Sequence, residues 1–214
     1  MLYEVAHPVV WWIARWCFSL SVVGRDLVPA EGGVIVAANH VSYLDIPIVG
    51  CALARRADFL AKADLFHKPV VGWFFRRLGG LPIRRGTIDR AALNEVQRRL
   101  ADGRVVVVYP EGTRSPSGRL QDPKPGVGML AARTGVPVVP VYVAGTGDAW
   151  PTGARWFRCR PVSVRFGSPL RFSSAGGSDQ ERKRDYERIA QDIMDHIAAL
   201  KRDAEARRGE TATD

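Results

Sequence analysis

The stretch Val34-Ile-Val-Ala-Ala-Asn-His-Val-Ser-Tyr-Leu-Asp45 decides how this chain is interpreted. Five apolar residues, the length of a buried strand, are followed at once by polar side chains. Open α/β sheets place their chemistry where a strand delivers polar groups into the helix that follows it. The stretch therefore predicts both a strand of such a sheet and a candidate site at its end.

Two residues of this stretch, His40 and Asp45, have the chemistry of a catalytic pair. If His40 lies in the turn and Asp45 in the first turn of the next helix, the carboxylate reaches one imidazole nitrogen. That contact fixes the tautomer and leaves the other nitrogen as a base. The alternative interpretation is a polar turn in which Ser42 or Asp45 caps a helix.

The rest of the chain alternates strand and helix patterns. The valine run that ends in Tyr109, residues 105–109, is typical of a parallel strand buried on both faces. Further strands are predicted over residues 58–62, 81–85, 136–143 and 162–166, and helices over residues 45–56, 69–78, 88–101, 126–134 and 185–200. This alternation predicts one α/β domain, residues 25–200, with a mostly parallel sheet flanked by helices. Pro137 and Pro140 place their strand at an edge, at a strand start or at a bulge.

The N-terminal segment, residues 1–24, is predicted to anchor the chain to a membrane surface. Its apolar part, residues 8–23, contains three tryptophans and reads as a helix beginning at Pro8. Sixteen residues make a helix of about 24 Å, short of the ~30 Å hydrocarbon core, and Arg15 lies near its middle. An interfacial helix is therefore favoured over a spanning one, and an ordinary buried helix is the alternative. A signal peptide is disfavoured because a charged n-region and a small-residue cleavage site are missing.

Charge and cysteine content restrict the partners and the compartment. The net charge of +9 is concentrated in residues 62–104 (+6) and residues 150–171 (+5), and the remainder sums to −2. This distribution indicates an anionic partner: nucleic acid, a phosphorylated substrate or an acidic membrane surface. Charge alone does not distinguish among the three. Residues 70–78 combine apolar side chains with arginines, which suits contact with an acidic lipid surface or a half-buried helix. The cysteines have no disulfide or zinc spacing and suggest reduced thiols: Cys17, Cys51 and Cys159. Residues 201–214 form a polar tail that we expect to fray.

A second candidate motif, Glu111-Gly112-Thr113-Arg114, follows the valine strand. Gly112 permits a tight backbone path, and the planar guanidinium of Arg114 suits a phosphate. Glu111 is placed to hold that guanidinium, although a structural ion pair in a turn is an equal alternative. Gly-x-Ser-x-Gly is absent from the sequence, which argues against a serine hydrolase using Ser42.

Parallel topology predicts that the polar residues after different strands converge. Lys62 and Arg85 each follow a predicted strand, so both should meet His40 and Arg114 at one edge of the sheet. A base beside several cations suits a hydroxyl nucleophile carried on a phosphate monoester.

These motifs resemble those of the glycerolipid acyltransferases, the family of the 1-acylglycerol-3-phosphate acyltransferases. Asn39-His-Val-Ser-Tyr-Leu-Asp45 resembles the family's NHxSxxD block, and Tyr109-Pro-Glu-Gly-Thr-Arg-Ser115 resembles FPEGTRS with Tyr in place of Phe. Residues 61–85 and Val136-Pro-Val-Val-Pro-Val141 are similar to the two remaining blocks. The four blocks occur in the family's order. The resemblance implies a mixed αβ sheet with an N-terminal membrane-associated helical element.

The resemblance also implies roles for individual residues. His40 would be the general base and Asp45 its orienting partner. The implied substrate-binding positions are Lys62, Arg85, Glu111, Gly112, Thr113, Arg114 and Lys124. Arg84 is the alternative to Arg85. Backbone N–H groups near the His40 turn would stabilise the oxyanion.

The implied activity is acyl transfer in phospholipid biosynthesis. A fatty acyl group would move from acyl-CoA or acyl carrier protein to the hydroxyl of 1-acylglycerol-3-phosphate, giving phosphatidic acid. The acyl donor would be a co-substrate, and no metal, nucleotide or prosthetic group would be required. Another lysolipid or glycolipid acceptor is one alternative; the other is a non-catalytic protein that binds anionic lipid or nucleic acid. We expect a peripheral or monotopic protein on the cytoplasmic face of a bacterial membrane, held there by the N-terminal helix and residues 70–78 and binding no nucleic acid.

Overall fold

The computed structural model describes residues 2–84, 89–151, 153–173 and 176–210. Its strands are β1 (Ser21–Val23), β2 (Val34–Ala38), β3 (Ala57–Lys62), β4 (Gly80–Ile83), β5 (Val105–Val108), β6 (Val138–Ala144) and β7 (Ser163–Phe166). Its α-helices are α1 (Leu2–Cys17), α2 (Asp45–Ala52), α3 (Pro69–Arg77), α4 (Arg90–Ala101), α5 (Pro125–Thr134), α6 (Thr146–Ala149) and α7 (Asp179–Glu210), with 3₁₀ turns at Arg25–Leu27 and Ala63–His67.

The strands form one sheet in the order β1-β7-β6-β2-β5-β3-β4. Strands β2 to β6 run in one direction, whereas β7 is antiparallel to β6, and β1 is parallel to β7. The predicted mixed, mostly parallel sheet in a single α/β domain is confirmed. The carboxyl ends of β2, β3, β4, β5 and β6 consequently open onto the same edge, where the sequence predicts a site.

The central strand β2 is fully buried because helices cover both faces of the sheet. It is hydrogen-bonded to β5 on one side and to β6 on the other. Val34 and Val36 face a core that includes residues of α1 and α2, and Ile35 faces a second core built with α4, α5 and α7. Continuous β-branched runs suit this environment, since both faces of the strand pack against apolar side chains.

The N-terminal segment differs from the predicted single helix over residues 8–23. Helix α1 begins six residues earlier, at Leu2, contains Pro8 in its interior and ends at Cys17. Ser19 adopts a left-handed conformation with φ 44°, which stops the helix. The chain then pairs through Ser21–Val23 with β7. Residues 1–24 thus supply an edge strand of the sheet as well as a helix.

Two predicted helices also have different lengths. Helix α2 ends at Ala52 instead of residue 56, and Arg55 donates to the carbonyl oxygens of Pro29 and Gly32. Helix α7 is longer than the predicted 185–200, so most of the segment predicted to fray is helical. Ala204 is buried, and burial of an apolar side chain this far along explains the continuation. Residues 211–214 lie outside the described part of the chain.

Pro140 lies within β6, an interior strand, and a bulge accommodates it. Val141 pairs with Phe166 on β7, while Val138 bridges Leu170, so the register shifts by one residue between the two contacts. The pyrrolidine nitrogen, which has no hydrogen to donate, falls at this shift. A bulge is one of the three placements that the sequence predicts.

Candidate active site

The end of β2 is fixed by the side chain of Asn39. Its amide nitrogen donates to the carbonyl oxygen of Val143 (3.0 Å), and its amide oxygen accepts from the Val143 N–H (2.7 Å). The Asn39 side chain thus makes hydrogen bonds to β6 that a strand backbone would otherwise make. The backbone after β2 can therefore turn away from the sheet. His40 is the first residue of that turn.

The imidazole of His40 is bound to the carboxylate of Asp45, as predicted. Nδ1 lies 2.7 Å from Oδ2 of Asp45, the first residue of α2. The same oxygen accepts the backbone N–H groups of Val41 (2.7 Å) and Ser42 (2.8 Å), and the Asp45 side chain is fully buried. With its proton on Nδ1, the neutral imidazole keeps the lone pair of Nε2 for a proton transfer. Whether the pair is catalytic stays a prediction.

The oxyanion prediction does not agree with these hydrogen bonds. The N–H groups of Val41 and Ser42 are taken by Asp45, and the N–H of His40 donates to Oε1 of Glu111 at 2.9 Å. The N–H groups of His40, Val41 and Ser42 therefore donate to the carboxylates of Glu111 and Asp45 and are not available to an oxyanion. Asp45 needs these donors because a buried carboxylate is stable only when it is hydrogen-bonded.

Glu111 was expected to hold the guanidinium of Arg114, but its carboxylate binds the backbone of His40. Its second oxygen, Oε2, accepts from the backbone N–H (3.2 Å) and the side-chain amide (3.1 Å) of Gln121. Burial raises the pKa of the Glu111 carboxyl, and the hydrogen bonds from His40 and Gln121 partly oppose that shift. The N–H of Ser115 donates to the carbonyl oxygen of His40 at 2.8 Å, so the segment after β5 binds both sides of the His40 backbone.

Arg114 is held flat by an aromatic ring. Its Cζ lies 3.6 Å from the ring centroid of Tyr43, whose ring in turn lies 6.1 Å from that of Trp150. In the described part of the chain, Nη1 of Arg114 is buried without a hydrogen-bond partner. Stacking thus orients a planar cation that retains an unused donor.

The other predicted positions are more exposed. Lys62, the last residue of β3, pairs with Asp64 at 2.5 Å, and Lys124 precedes α5 with its N–H donating to Pro110 (2.8 Å). Gly112 adopts φ 71°, a left-handed conformation that favours glycine, and the neighbouring Thr113 is exposed. Arg85 lies outside the described residues. The alternative to it, Arg84, is exposed, and its N–H donates to Asp89.

A cavity of about 450 Å³ brings the predicted residues together, and we call it the His40 cavity. It is lined by five of the predicted positions, namely His40, Lys62, Gly112, Arg114 and Lys124. Its interior is apolar and extends between β5, α4 and α5 past Val96, Val108 and Leu130. A base, a group of cations and room for a hydrocarbon thus share one space.

The polar groups of this cavity suit an anion. Three of the lining side chains are the cations Lys62, Arg114 and Lys124, and the carboxylates of Asp45 and Glu111 are turned into the His40 turn. Nowhere in the described ranges are three His, Cys, Asp or Glu side chains grouped to hold a metal ion. A phosphate-bearing ligand fits this arrangement better than a bound cation does.

Sequence reasoning missed the functional position of Tyr109. Its ring stacks on the His40 imidazole, with centroids 4.0 Å apart and planes at 19°. The hydroxyl is buried without a partner in the described structure, and burial, with a smaller contribution from the Asp45 charge, raises its pKa well above the ordinary value. The one sequence signal was Tyr in place of the Phe of the resembling block, and it does not reveal the stacking.

The chain is similar in sequence to known acyltransferases. Residues 19–144 match the sequence model of the Acyltransferase family. The chain is 38% identical over 142 residues to a chloroplastic 1-acyl-sn-glycerol-3-phosphate acyltransferase of Brassica napus, covering 64% of this chain and 40% of that relative. It is 36% identical over 143 residues to a lyso-ornithine lipid O-acyltransferase of Pseudomonas aeruginosa, covering 66% of this chain and 55% of the relative.

A solved structure is also similar over most of the chain. The crystal structure of the 1-acyl-sn-glycerophosphate acyltransferase of Thermotoga maritima superposes with a TM-score of 0.74 at 30% sequence identity. The match covers 93% of this chain and 79% of that one. By contrast, the chain spans about two fifths of the length of the chloroplastic relative.

Proposed function

Because this chain belongs to the Acyltransferase family, we propose that it acylates the free hydroxyl of 1-acylglycerol-3-phosphate with a fatty acyl thioester, producing phosphatidic acid. The observation that carries the proposal is one cavity lined by both the Asp45-bound imidazole of His40 and the stacked guanidinium of Arg114. Relatives named as acyltransferases of this acceptor support the choice of substrate.

His40 acts as the general base in the proposed reaction. Nε2 accepts the proton of the acceptor hydroxyl while that oxygen attacks the thioester carbonyl. Asp45 stabilises the imidazolium that forms, since its carboxylate is bonded to Nδ1. The tetrahedral intermediate then collapses, the C–S bond breaks, and the leaving thiolate takes the proton from Nε2. The ester C–O bond replaces the C–S bond, and the proton of the hydroxyl ends on the thiol. No oxidant or reductant is needed, and the acyl donor is the second substrate.

Arg114 binds the phosphate of the acceptor in this proposal. Its guanidinium is fixed by Tyr43 and retains a buried donor at Nη1, and a phosphate oxygen would complete that bond. Lys124 is an exposed cation at the same cavity and adds to the positive field, and Lys62 does so when it exchanges its exposed partner Asp64 for the ligand. The transferred acyl chain occupies the apolar interior past Val96 and Leu130, and acyl-CoA and acyl carrier protein both supply the required thioester.

We further propose that α1 and α3 rest on a bilayer surface, on the cytoplasmic side where acyl-CoA and acyl carrier protein are available. Large apolar side chains are exposed on both helices, with Trp16 of α1 exposed by 74% and Val70 of α3 by 77%. Arg76 and Arg77 are exposed at the end of α3, where they would meet anionic headgroups. No helix in the described ranges is both long enough and apolar enough to cross a membrane.

A second acceptor is favoured by one specific observation. The relative from Pseudomonas aeruginosa is named a lyso-ornithine lipid O-acyltransferase and is 36% identical to this chain. Acylation of a lyso-ornithine lipid would use the same base and the same thioester. Because that acceptor lacks a phosphate monoester, it would leave the Arg114 donor without its proposed partner.

The deciding experiment measures free-thiol release by the purified, detergent-solubilised protein with acyl-CoA and 1-acylglycerol-3-phosphate. Product mass is confirmed, and His40→Ala is run in parallel. We expect phosphatidic acid from the wild type and none above background from the variant. Thiol release with lyso-ornithine lipid alone would establish the second acceptor instead. Silence with both acceptors, using acyl-CoA and acyl carrier protein as donors, would overturn the proposed function.

A further inference from the structure

A second apolar cavity, of about 540 Å³, lies on the opposite face of the sheet from the His40 cavity. It is bounded by α1, α2 and α3, and we call it the α1 cavity. Phe59 and Val107 line it, whereas their neighbours Leu60 and Val108 line the His40 cavity. Adjacent residues of a strand point to opposite faces, so the sheet separates the interiors of the two cavities, which both extend to its carboxyl edge. The size of the α1 cavity is that of a typical ligand pocket.

The α1 cavity is lined almost entirely by apolar surface. Among its described lining residues there is no carboxylate, lysine or arginine side chain. Val10 of α1, Gly50 of α2 and Leu78 after α3 represent its three walls. Such a lining suits a hydrocarbon chain, because burying a charged or strongly polar group there without a partner is costly.

The two cavities meet beside the candidate base. The four residues that line both are Tyr43, Ile46, Phe75 and Tyr109. The ring centroids of Tyr109 and His40 are 4.0 Å apart, and Cζ of Arg114 lies 3.6 Å from the ring centroid of Tyr43. The inner end of the α1 cavity therefore lies next to both the proton acceptor and the proposed phosphate ligand.

We propose that the α1 cavity binds the acyl chain that the lysophospholipid acceptor already carries. The proposal rests on the proposed function, in which two hydrocarbon chains must reach one base. The transferred chain occupies the His40 cavity, so the acceptor's chain needs a separate apolar space. An acceptor whose phosphate lies on Arg114 has its glycerol hydroxyl near His40 and its chain directed past Tyr43 into the α1 cavity.

The outer end of the α1 cavity supports this choice of occupant. Phe74 lines the cavity and is itself 45% exposed, and it lies on α3 beside the exposed Trp73. Helix α1, the other wall, exposes Trp12 and Trp16. A lipid that leaves a bilayer touching these side chains reaches the α1 cavity without its chain crossing water.

Two glycines provide a matched pair of variants that test the assignment. Gly50 of α2 lines the α1 cavity, and Gly126 of α5 lines the His40 cavity. A Cβ atom added at either position meets no heavy atom within 4 Å. Leucine is also a better helix former than glycine, so Gly50→Leu and Gly126→Leu should fold and each partly fill one cavity.

In steady-state assays, we expect Gly50→Leu to raise KM for 1-palmitoyl-glycerol-3-phosphate about tenfold, which corresponds to the exclusion of roughly two methylenes. KM for the 1-hexanoyl acceptor should change less than twofold, and the preference for donor chain length should not change. Gly126→Leu should shift donor preference to shorter chains without changing how KM depends on acceptor chain length. A shift of donor preference in Gly50→Leu, or an unchanged KM for the palmitoyl acceptor, would overturn the proposal.

A binding measurement separates this proposal from the proposed function. The probe is 1-palmitoyl-propanediol-3-phosphate, which lacks the acceptor hydroxyl, and its binding is followed by calorimetry without turnover. Weaker binding to Gly50→Leu than to the wild type and Gly126→Leu supports the chain site even if no phosphatidic acid forms. Equal binding to all three proteins refutes the chain site even if the wild type makes phosphatidic acid.

Discussion

The His40 turn and the cations that face it differ in how far the protein itself satisfies their polar groups. Oδ2 of Asp45 accepts three hydrogen bonds, and the two oxygens of Glu111 accept three more. By contrast, Nη1 of Arg114 is without a partner in the described structure, Lys124 is exposed, and Lys62 is paired with the exposed Asp64 at the surface. The difference indicates that the fold positions the base in advance, whereas the cations remain available to a ligand.

Removal of the base should have the largest effect on turnover. His40→Ala deletes the proton acceptor, and general-base catalysis typically contributes about 10²- to 10⁴-fold, so we expect kcat to fall by that factor. Thiol release measures kcat, and circular dichroism checks that the variant is folded. His67→Ala, at an exposed histidine, is the matched control and should keep wild-type kcat. A folded His40→Ala variant with normal turnover would show that the turn is only structural.

Removal of the stacked cation should affect binding more than turnover. For Arg114→Gln we expect KM for 1-acylglycerol-3-phosphate to rise about 10- to 100-fold, because hydrogen bonds between charged groups are the stronger class. The rise should be small with lyso-ornithine lipid, which has no phosphate monoester. Arg119→Gln, at an exposed arginine of the same loop, is the control. Equal KM increases with both acceptors would contradict a phosphate-binding role.

Glu111→Gln tests whether the fold positions the turn. A glutamine side chain offers one acceptor oxygen and presents N–H groups to the donors of Gln121, so we expect kcat to fall about tenfold with little change in acceptor KM. An equally large rise in acceptor KM would instead place Glu111 in substrate binding.

The same variant has a predicted pH signature. Because burial raises the pKa of Glu111 above its usual value near 4.5, the folded protein keeps this proton at pH values where the unfolded chain has lost it. This contribution to stability is present below pH 4.5 and is lost as pH rises through the folded pKa. Urea unfolding between pH 4 and 7 should show a decrease that is smaller in Glu111→Gln. Identical pH slopes in the two proteins would show that another group is responsible.

The contact within the turn and the convergence of the strand ends were predictable from the sequence, whereas individual hydrogen bonds between distant segments were not. Asp45 lies five residues from His40, so the type of turn alone places one beside the other. Glu111 lies 71 residues from His40 and binds its backbone N–H, which has no side-chain signature in the sequence. Of the three N–H groups expected to be open to an oxyanion, only that of His40 is occupied by a distant residue, and those of Val41 and Ser42 are occupied by the nearby Asp45.

The ends of α1 and α7 could not be predicted for a similar physical reason. The first helix was predicted to continue to residue 23, but Ser19 takes the left-handed conformation, and Ser21 pairs with Ser163 in the sheet. That partner strand is about 140 residues away in the sequence. The lengthening of α7 similarly depends on the burial of Ala204, which the polar composition around it conceals.

Tyr109 stacks on His40 and lines both cavities, and Tyr109→Phe should have the smallest effect of these variants. The ring that stacks on His40 is retained, so we expect kcat to stay within about twofold of the wild type. Among the described residues, the deleted hydroxyl is buried without a partner, and removing such a group should leave the free energy of unfolding unchanged or raise it by up to about 1 kcal/mol. Urea denaturation and thiol release measure the two quantities.

Tyr109→Ala is the contrasting variant, because it removes the ring as well as the hydroxyl. Loss of a fully buried aromatic ring costs about 3–5 kcal/mol, and we expect a smaller cost here because Tyr109 is partly buried; the change would also join the α1 cavity to the His40 cavity. If Tyr109→Phe lost tenfold in kcat while remaining folded, the hydroxyl would have to act on a group that it does not bond in the structure. Oδ1 of Asp45, which has no hydrogen-bond partner in the part of the chain that the structure describes, would be the first candidate, and the base would then depend on a contact that forms only with substrate bound.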